Sequence, residues 1–112
     1  MSNPSKAKGS AFERLCADYF IARGVPCERI PAGATNDRGD LWIPIIEWPS
    51  IDTKNHRSPS LGAWCDRAEE QRINAGRRSG FVLHKRAGVA DPARQFMTTT
   101  VEMFVDLMEA LR

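Results

Sequence analysis

The segment from Asp40 to Asn55 constrains the fold more than any other part of this sequence. It is rich in isoleucine and tryptophan, and Pro44 and Pro49 interrupt it. Proline lacks a backbone donor and clashes with the preceding turn of a helix, so a continuous α-helix here is excluded. Branched and aromatic side chains bounded by turn residues favour β-structure. We therefore predict two strands in this segment, joined by a tight connection.

The sequence before this segment predicts one helix and one short strand. Between Gly9 and Gly24 apolar side chains recur at intervals of three and four, as on a helix with one buried face. Gly24 ends this helix, and Pro26–Pro31 suits one strand, which its prolines restrict to a sheet edge. Residues 32–39 are small and polar, and they predict a loop. The apolar positions of the helix are Phe12, Leu15, Cys16, Tyr19 and Phe20.

The sequence after this segment predicts a second helix and a buried strand. Serine is a common helix-capping residue and glycine a common helix stop, so Ser58 or Ser60 begins the helix and Gly76 or Gly80 ends it. The apolar run over residues 80–85 predicts the strand. The apolar positions of the second helix are Leu61, Trp64, Cys65 and Ala68.

The last part of the chain predicts a loop over residues 87–94, a strand over 95–100 and a closing helix, Val101–Leu111. Thr99 and Glu102 have the spacing of a capping box, which predicts the start of this helix. The predicted inward positions of the helix are Met103, Phe104, Leu107, Met108 and Leu111.

These elements follow the order helix, three strands, helix, strand, strand, helix. Consecutive strands favour antiparallel hairpins, whereas a helix between the third and fourth strands allows a parallel crossover. We therefore predict an α/β fold with a mixed central sheet flanked by helices. With 112 residues the chain has room for one hydrophobic core. We predict a flexible basic tail over residues 1–8 and a single domain over 9–112.

The cysteines and the apolar runs of the sequence indicate in which cellular compartment the protein works. The three cysteines, Cys16, Cys27 and Cys65, are odd in number and form no CxxC pair, which excludes a secreted disulfide framework and a zinc knuckle. No apolar run is long enough for a membrane span, and the polar start with two lysines is unlike a signal peptide. We predict a cytoplasmic protein without a membrane partner.

Positive charge is concentrated in the middle of the chain. The formal net charge is only +2, but residues 54–86 contain eight Lys/Arg against three Asp/Glu. If the fold gathers these cations on one face, they can neutralise nucleic-acid phosphates. A solvated helix surface explains the same charges. The residues concerned are Lys54, Arg57, Arg72, Arg77, Arg78, Lys85 and Arg86.

Asp40, Asp52 and Lys54 are the best candidates for chemistry. Asp52 and Lys54 are two apart on one predicted strand, so their side chains share a face of the sheet. Asp40 begins the neighbouring strand and can reach the same place. Carboxylates bind hard divalent cations, and an ammonium group can position water or offset negative charge. The backbone carbonyl of Thr53 is a further oxygen ligand, and an ordinary surface ion pair is the alternative explanation.

These residues and their spacing resemble a known family. Gly9-Ser10-Ala11-Phe12-Glu13-Arg14 on the first helix, then Gly39-Asp40, then Ile51-Asp52-Thr53-Lys54, look like the PD-(D/E)xK nuclease superfamily. Within it, the sequence is most similar to Holliday-junction resolvases of the archaeal and phage type. The resemblance covers about residues 8–111. It implies a restriction-endonuclease-like αβββαβ core with an added C-terminal strand and helix.

The resemblance implies a role for each motif residue. Asp40 matches the first motif aspartate, while Asp52 and Lys54 match the acid and the lysine of (D/E)xK. Glu13 matches the helix-borne glutamate that completes the metal site, which would bind Mg²⁺ or Mn²⁺ through Glu13, Asp40, Asp52 and Thr53. Gln71 matches a polar position near that site. In two departures from the family pattern, Arg38-Gly39 replaces the usual proline, and Asp52 is shorter than the usual glutamate.

The implied activity is metal-dependent, structure-selective cleavage of DNA, with a four-way junction in recombination or replication as substrate. Paired cuts at a junction imply a homodimer, and the small size suits a phage gene expressed in a bacterial cytoplasm. Two alternatives stay open: another nuclease of the superfamily that nicks or processes ends, or a non-catalytic DNA-binding domain of the same fold. The predicted DNA contacts are Lys6, Lys8, Arg14, Arg38, His56, Arg57, Arg77 and Arg78.

Several other side chains have competing explanations. His84 lies within an apolar run, so we predict a hydrogen-bonded structural histidine. Trp64 belongs to a helix stripe, which predicts core packing. Trp42 and Trp48 suit the core, a dimer contact or a wedge in the junction. His56 can contact a phosphate or simply lie exposed.

Overall fold

The computed structural model describes residues 4–31, 37–44 and 49–112, with side chains from residue 7 onward. Within these residues the chain forms helices and strands in the predicted order, with one added 3₁₀ turn at Pro92–Arg94. The elements are α1 Pro4–Ala22, β1 Glu28–Arg29, β2 Leu41–Trp42, β3 Ser50–Lys54, α2 Leu61–Ala75, β4 Gly80–His84, β5 Phe96–Thr98 and α3 Val101–Ala110.

The strands form one mixed, open sheet in the order β1-β2-β3-β4-β5. β1 with β2, β2 with β3, and β4 with β5 are antiparallel, while β3 and β4 are parallel. α2 supplies the crossover that a parallel pair requires. The predicted α/β class and mixed sheet are therefore confirmed. β1 is an edge strand as predicted, but it is shorter than the predicted Pro26–Pro31 and lies between its two prolines.

The two long helices cover opposite faces of the sheet. On one face, Phe12 and Cys16 of α1 pack with Ile51 and Leu83, among other buried residues. Because side chains alternate along a strand, Val82 points to the other face, where it packs with Cys65 and Ala68 of α2. The side chains of Asp52 and Lys54 belong to this second face.

Gly80 allows α2 to approach the sheet closely. A Cβ atom at this position would lie 2.5 Å from the carbonyl oxygen of Ala68. Gly76, with φ of +69°, terminates α2 in the left-handed conformation, and its amide donates to carbonyls of the last turn. Of the two predicted stops, Gly76 therefore ends the helix, and Gly80 serves the packing.

The first helix differs from its prediction at both its start and its buried face. α1 begins at Pro4, so residues 4–8, which were predicted as a tail, are helical. Leu15 is 40% exposed, whereas Ala17 is 3% exposed. The buried face of α1 therefore includes the side that carries Ala17 and not the side that carries Leu15.

The last helix also differs from its prediction. Thr100, rather than Thr99, caps α3 by accepting from the Met103 amide, because the Thr99 hydroxyl donates to the carbonyl of Gly80 instead. Only Met103 and Leu107 of the predicted inward positions are buried. The other three predicted inward positions are exposed, because a ten-residue helix contacts the core along a narrow strip. These three are Phe104, Met108 and Leu111.

No helix among the residues that the structure describes is both long enough and apolar enough to cross a membrane.

Candidate active site

The candidate site forms where β3 extends past its pairing with β2. β2 pairs with Ser50 and Ile51 only, so the amide of Thr53 has no strand partner on that side. Asp40 takes that place: its Oδ2 accepts from the Thr53 amide at 2.7 Å and from the Thr53 hydroxyl at 3.0 Å. The Asp40 amide in turn donates to the carbonyl of Ile51 at 2.8 Å. Asp40 is thus fixed beside β3 by three hydrogen bonds.

Gly39 makes this position possible. Its φ is +92°, a conformation that residues with a side chain rarely adopt, and a Cβ atom there would lie 3.2 Å from the carbonyl oxygen of Ile51. The proline that the nuclease family usually carries before its first aspartate is absent here. Gly39 turns the chain by its backbone freedom instead.

Asp52 is buried, with 4% of its surface exposed. Its Oδ1 accepts from Nε2 of Gln71 at 3.1 Å. Its Oδ2 lies 3.3 Å from Nζ of Lys54, close enough for an ion pair, but has no hydrogen-bond donor with suitable geometry among the described residues. Buried carboxylate oxygens normally have a donor. An oxygen of this kind is available to a cation.

The two aspartates influence each other electrostatically. The pKa of Asp40 is raised to about 6. Burial is the largest cause, the negative charge of Asp52 and a side-chain hydrogen bond with Asp52 act in the same direction, and the hydrogen bonds from Thr53 oppose them. Two nearby carboxylates disfavour simultaneous ionisation unless a positive charge lies between them. The arrangement therefore favours either a proton or a cation.

Gln71 joins α2 to the loop before β2. Its Nε2 donates to Oδ1 of Asp52 and, at 2.9 Å, to Oδ2 of Asp37. Asp37 Oδ2 also accepts from Arg67 at 2.6 Å, and Asp37 Oδ1 accepts from the Gly39 amide at 3.1 Å. Burial raises the pKa of Asp37, but the hydrogen bonds from Gln71 and Gly39 and the charge of Arg67 outweigh it and hold this pKa below its usual value.

Nothing in the local sequence indicates the contacts of Asp37. It lies in the segment predicted as a loop, and the residues that bind it are 30 and 34 positions away, at Arg67 and Gln71. Only the fold brings them together. The prediction that Gln71 lies near the site, by contrast, agrees with its hydrogen bond to Asp52.

Glu13 lies near the aspartates but has a different partner. Its Oε1 accepts from Nε of Arg29 at 3.0 Å, and its side chain is 16% exposed. Burial raises the pKa of Glu13, the hydrogen bond from Arg29 lowers it, and the charge of Asp40 raises it again. Among the described residues, no three His, Cys, Asp or Glu side chains form a group that can hold one ion. The structure brings Asp40, Asp52 and Lys54 together and pairs Glu13 with Arg29.

Asp40 and Asp52 are the two carboxylates that could hold a magnesium-like ion. Mg²⁺ commonly keeps several waters and takes only one or two carboxylates from the protein. Asp52 offers a buried oxygen without a donor, and Asp40 lies beside it. The contacts of Thr53 that the structure shows are its amide and hydroxyl on Asp40, so Thr53 orients that carboxylate.

The predicted DNA-contacting cations are dispersed over the surface. Lys8 and Arg14 are exposed on α1, and Arg78 is exposed after α2. The side chain of Lys6 lies outside the described residues. Two cations of the middle segment are paired with acids: Arg67 with Asp37 and Glu70, and Arg72 with Glu69.

The predicted cations nearer the site have different surroundings. Arg38 and Arg77 contact Trp42, with guanidinium carbons 5.3 and 4.7 Å from the centre of a ring of this tryptophan. His56 and Arg57 are exposed in the connection that follows β3. Trp42 is half-buried, and its indole donates to the carbonyl of Arg38 at 3.2 Å. Trp48 lies outside the described residues.

Comparison with protein-family models, with curated proteins and with solved structures finds no match.

Proposed function

We propose that this protein is a Mg²⁺- or Mn²⁺-dependent DNA endonuclease of the PD-(D/E)xK type, with a four-way junction as its preferred substrate. The observation that carries this proposal is the buried Asp52 oxygen without a donor, beside a second carboxylate and the ammonium of Lys54. Buried charges of this kind are costly and are usually paired or ligate metals.

Each side chain has a defined task in this proposal. Asp40 and Asp52 would hold the cation, with Thr53 orienting the first and Gln71 the second. A divalent cation held there supplies positive charge that polarises the scissile phosphate. Lys54, whose side chain is 26% exposed, can reach both solvent and the acidic pair, so it positions the attacking water or stabilises the developing charge.

The proposed reaction is hydrolysis of a phosphodiester. Water attacks phosphorus in line with the leaving group, and the bond between phosphorus and the 3′-oxygen breaks. That oxygen gains a proton, which leaves a 3′-hydroxyl on one fragment and a 5′-phosphate on the other. This is the usual outcome in the superfamily that the motif resembles.

Glu13 is included in the proposal as a third acid. Its present partner, Arg29, is 38% exposed, and exposed ion pairs typically contribute only about 0–1 kcal/mol. The energy needed to release Glu13 from Arg29 is therefore small compared with the attraction of a divalent cation.

Junction selectivity and the homodimer belong to the same proposal. Symmetric cutting of a four-way junction needs two active sites, whereas one chain supplies one site. Two chains related by a two-fold axis satisfy this requirement. Recognition would rest on DNA shape and backbone phosphates, to which exposed cations such as Arg14 and Arg57 contribute. The proposal includes a cytoplasmic location, in a bacterial host if the gene is carried by a phage.

The experiment is incubation of the protein with a synthetic four-way junction in Mg²⁺ or in EDTA, with every nick mapped by strand. Flapped, gapped and linear duplexes test the other nuclease activities. We expect paired nicks in Mg²⁺, no cleavage in EDTA, and loss of cleavage in Asp52→Asn. The control is Asp66→Asn, which alters an exposed carboxylate on α2 and should cleave normally.

The pairing of Glu13 with Arg29 favours a second candidate, a DNA-binding domain without catalysis. In that case no metal dependence is seen, and Asp52→Asn binds junctions as well as or better than the unaltered chain because a negative charge is removed. Cleavage that persists in Asp52→Asn would contradict the proposed site.

A further inference from the structure

A cavity of about 440 Å³ lies beside the candidate active site. His84 lines it, and His84 is the partner of Lys54 in the parallel pairing of β3 with β4. Paired residues of neighbouring strands point to the same face, about 5 Å apart. The cavity is therefore adjacent to Lys54, on the face of the sheet that carries Asp52.

Four rings form a row along this cavity. The ring centres of His56 and Trp64 are 5.7 Å apart, those of Trp64 and His84 are 5.4 Å apart, and those of His84 and Phe96 are 5.7 Å apart. A hydrogen bond of 2.7 Å between Nε2 of His84 and the hydroxyl of Thr98 holds the row in place. Phe96 is 47% exposed. The row thus offers aromatic surface to a ligand.

The charges around the cavity are positive. Arg57, Lys85 and Arg86 line it, and none of the lining residues that the structure describes is acidic. The guanidinium carbon of Arg86 lies 5.4 Å from the ring centre of Phe96. The ammonium of Lys85 donates to the backbone carbonyls of Arg86 and Val89. Aromatic surface next to cations is the combination that binds unpaired nucleotides.

We propose that this cavity binds one unpaired base of a DNA strand, with Arg57 and Arg86 on the adjoining phosphates. The volume falls in the range of small-ligand sites, about 300–1,000 Å³. For its ligand class the proposal rests on the proposed function. The cavity adds one requirement to the proposed function: the DNA strand that is cut has an unpaired base next to the scissile phosphate.

The test measures binding in EDTA, where no cleavage is expected, by fluorescence anisotropy of labelled DNA. One duplex carries a single unpaired thymidine, and a second is identical except that an abasic spacer replaces that thymidine. Because stacking of one base strengthens binding about tenfold or more, the unaltered chain should bind the abasic DNA about tenfold more weakly. Equal affinity for the two duplexes would overturn the proposal.

Two phenylalanines provide a matched comparison. Phe96 in the cavity is 47% exposed and Phe104 on α3 is 48% exposed, so the two side chains are matched in exposure. In Phe96→Ala the affinity ratio of thymidine to abasic DNA should fall to about two, whereas in Phe104→Ala it should remain about ten. An equal decrease in both variants, or no decrease in Phe96→Ala, would contradict the proposed cavity.

The source of the base is tested by competition. If a polynucleotide is the ligand, free thymidine monophosphate should displace the DNA only at concentrations far above those of an unlabelled oligonucleotide. Equal displacement would identify a mononucleotide site and overturn the DNA proposal. Junction cleavage in Mg²⁺ is measured separately. If binding depends on the base but no cleavage occurs, the cavity proposal holds and the nuclease proposal is wrong. If cleavage occurs but the two duplexes bind equally, only the cavity proposal is wrong.

Discussion

At the residue scale, the proposed function of Asp40 opposes its contribution to stability. Its pKa is raised to about 6, chiefly by burial and then by the charge of Asp52. In the unfolded chain an aspartate has a pKa of about 3.9. Between these two values the folded state binds more protons than the unfolded state, so stability falls as the pH rises through this window. At neutral pH the charged form is present at the expense of stability.

Removing this charge should therefore stabilise the fold. We expect Asp40→Asn to raise the free energy of unfolding by about 1 kcal/mol at about pH 7.5, and by much less at about pH 4, where Asp40 is already neutral. The amide oxygen of the new side chain can still accept from Thr53. Urea unfolding at the two pH values measures the difference, and a less stable variant at the higher pH would contradict it.

The same titration should appear in catalysis. Cation binding requires the ionised form of Asp40, so the single-turnover cleavage rate should fall as the pH decreases below about 6. Mg²⁺ competes with the proton, and higher Mg²⁺ concentrations should therefore move the midpoint to lower pH. Rates measured from about pH 5 to pH 8 at two Mg²⁺ concentrations test this. A midpoint that does not respond to Mg²⁺ would mean that Asp40 does not bind the ion.

At the scale of the elements, Gln71 connects α2 to Asp37 and Asp52. Gln71→Met keeps the length of the side chain but removes the only hydrogen bond to Oδ1 of Asp52 that the structure shows. Loss of a partner at a buried carboxylate typically costs about 1–3 kcal/mol, and residues that orient metal ligands affect activity about 10–100-fold. We expect both effects, measured by urea unfolding and by cleavage rates as Mg²⁺ is varied.

Asn74→Ala is the control for this variant. Asn74 lies on the same helix and donates to the carbonyl of Asp37 at 2.8 Å, but it has no contact with Asp52 among those the structure shows. It should weaken the loop attachment slightly and leave the Mg²⁺ requirement unchanged. An equal change in the Mg²⁺ requirement of both variants would assign the effect to the loop rather than to Asp52.

The contact between α2 and β4 gives a second test at this scale. Gly80→Ala places a Cβ atom 2.5 Å from the Ala68 carbonyl, which forces the helix away from the strand. We expect a loss of about 1–3 kcal/mol, the usual effect of overpacking. Gly62→Ala in α2, where a Cβ atom meets nothing within 4 Å, should instead be neutral or slightly stabilising. Thermal unfolding of both variants measures the difference.

The sequence predicted elements better than contacts. Helical periodicity located α1 and α2, an apolar run located β4, and the period of two placed Asp52 and Lys54 on one side of the sheet. The prediction of the buried face failed for α3, because an apolar stripe does not show how much of a helix the rest of the fold covers. The prediction from sequence also missed the bond between Glu13 and Arg29, because local sequence cannot show which distant side chain reaches a carboxylate first.

For the whole molecule, the proposed junction cleavage predicts two chains per particle. Light scattering of the protein eluting from a size-exclusion column should give twice the chain mass of 12.5 kDa when a four-way junction is bound, after subtraction of the DNA. The physical reason is that paired nicks need two sites held at a fixed separation. Paired nicks made by a particle with one chain would contradict the dimer.

The parallel pairing of β3 with β4 has a consequence for where a strand would be cut. Lys54 and His84 are held side by side by the backbone ladder and not by loops. If the proposed cavity and the proposed site act on one strand, the distance from the bound base to the hydrolysed bond is set by this ladder. The nicks should then fall at one fixed nucleotide offset from the extruded base, whatever the surrounding sequence.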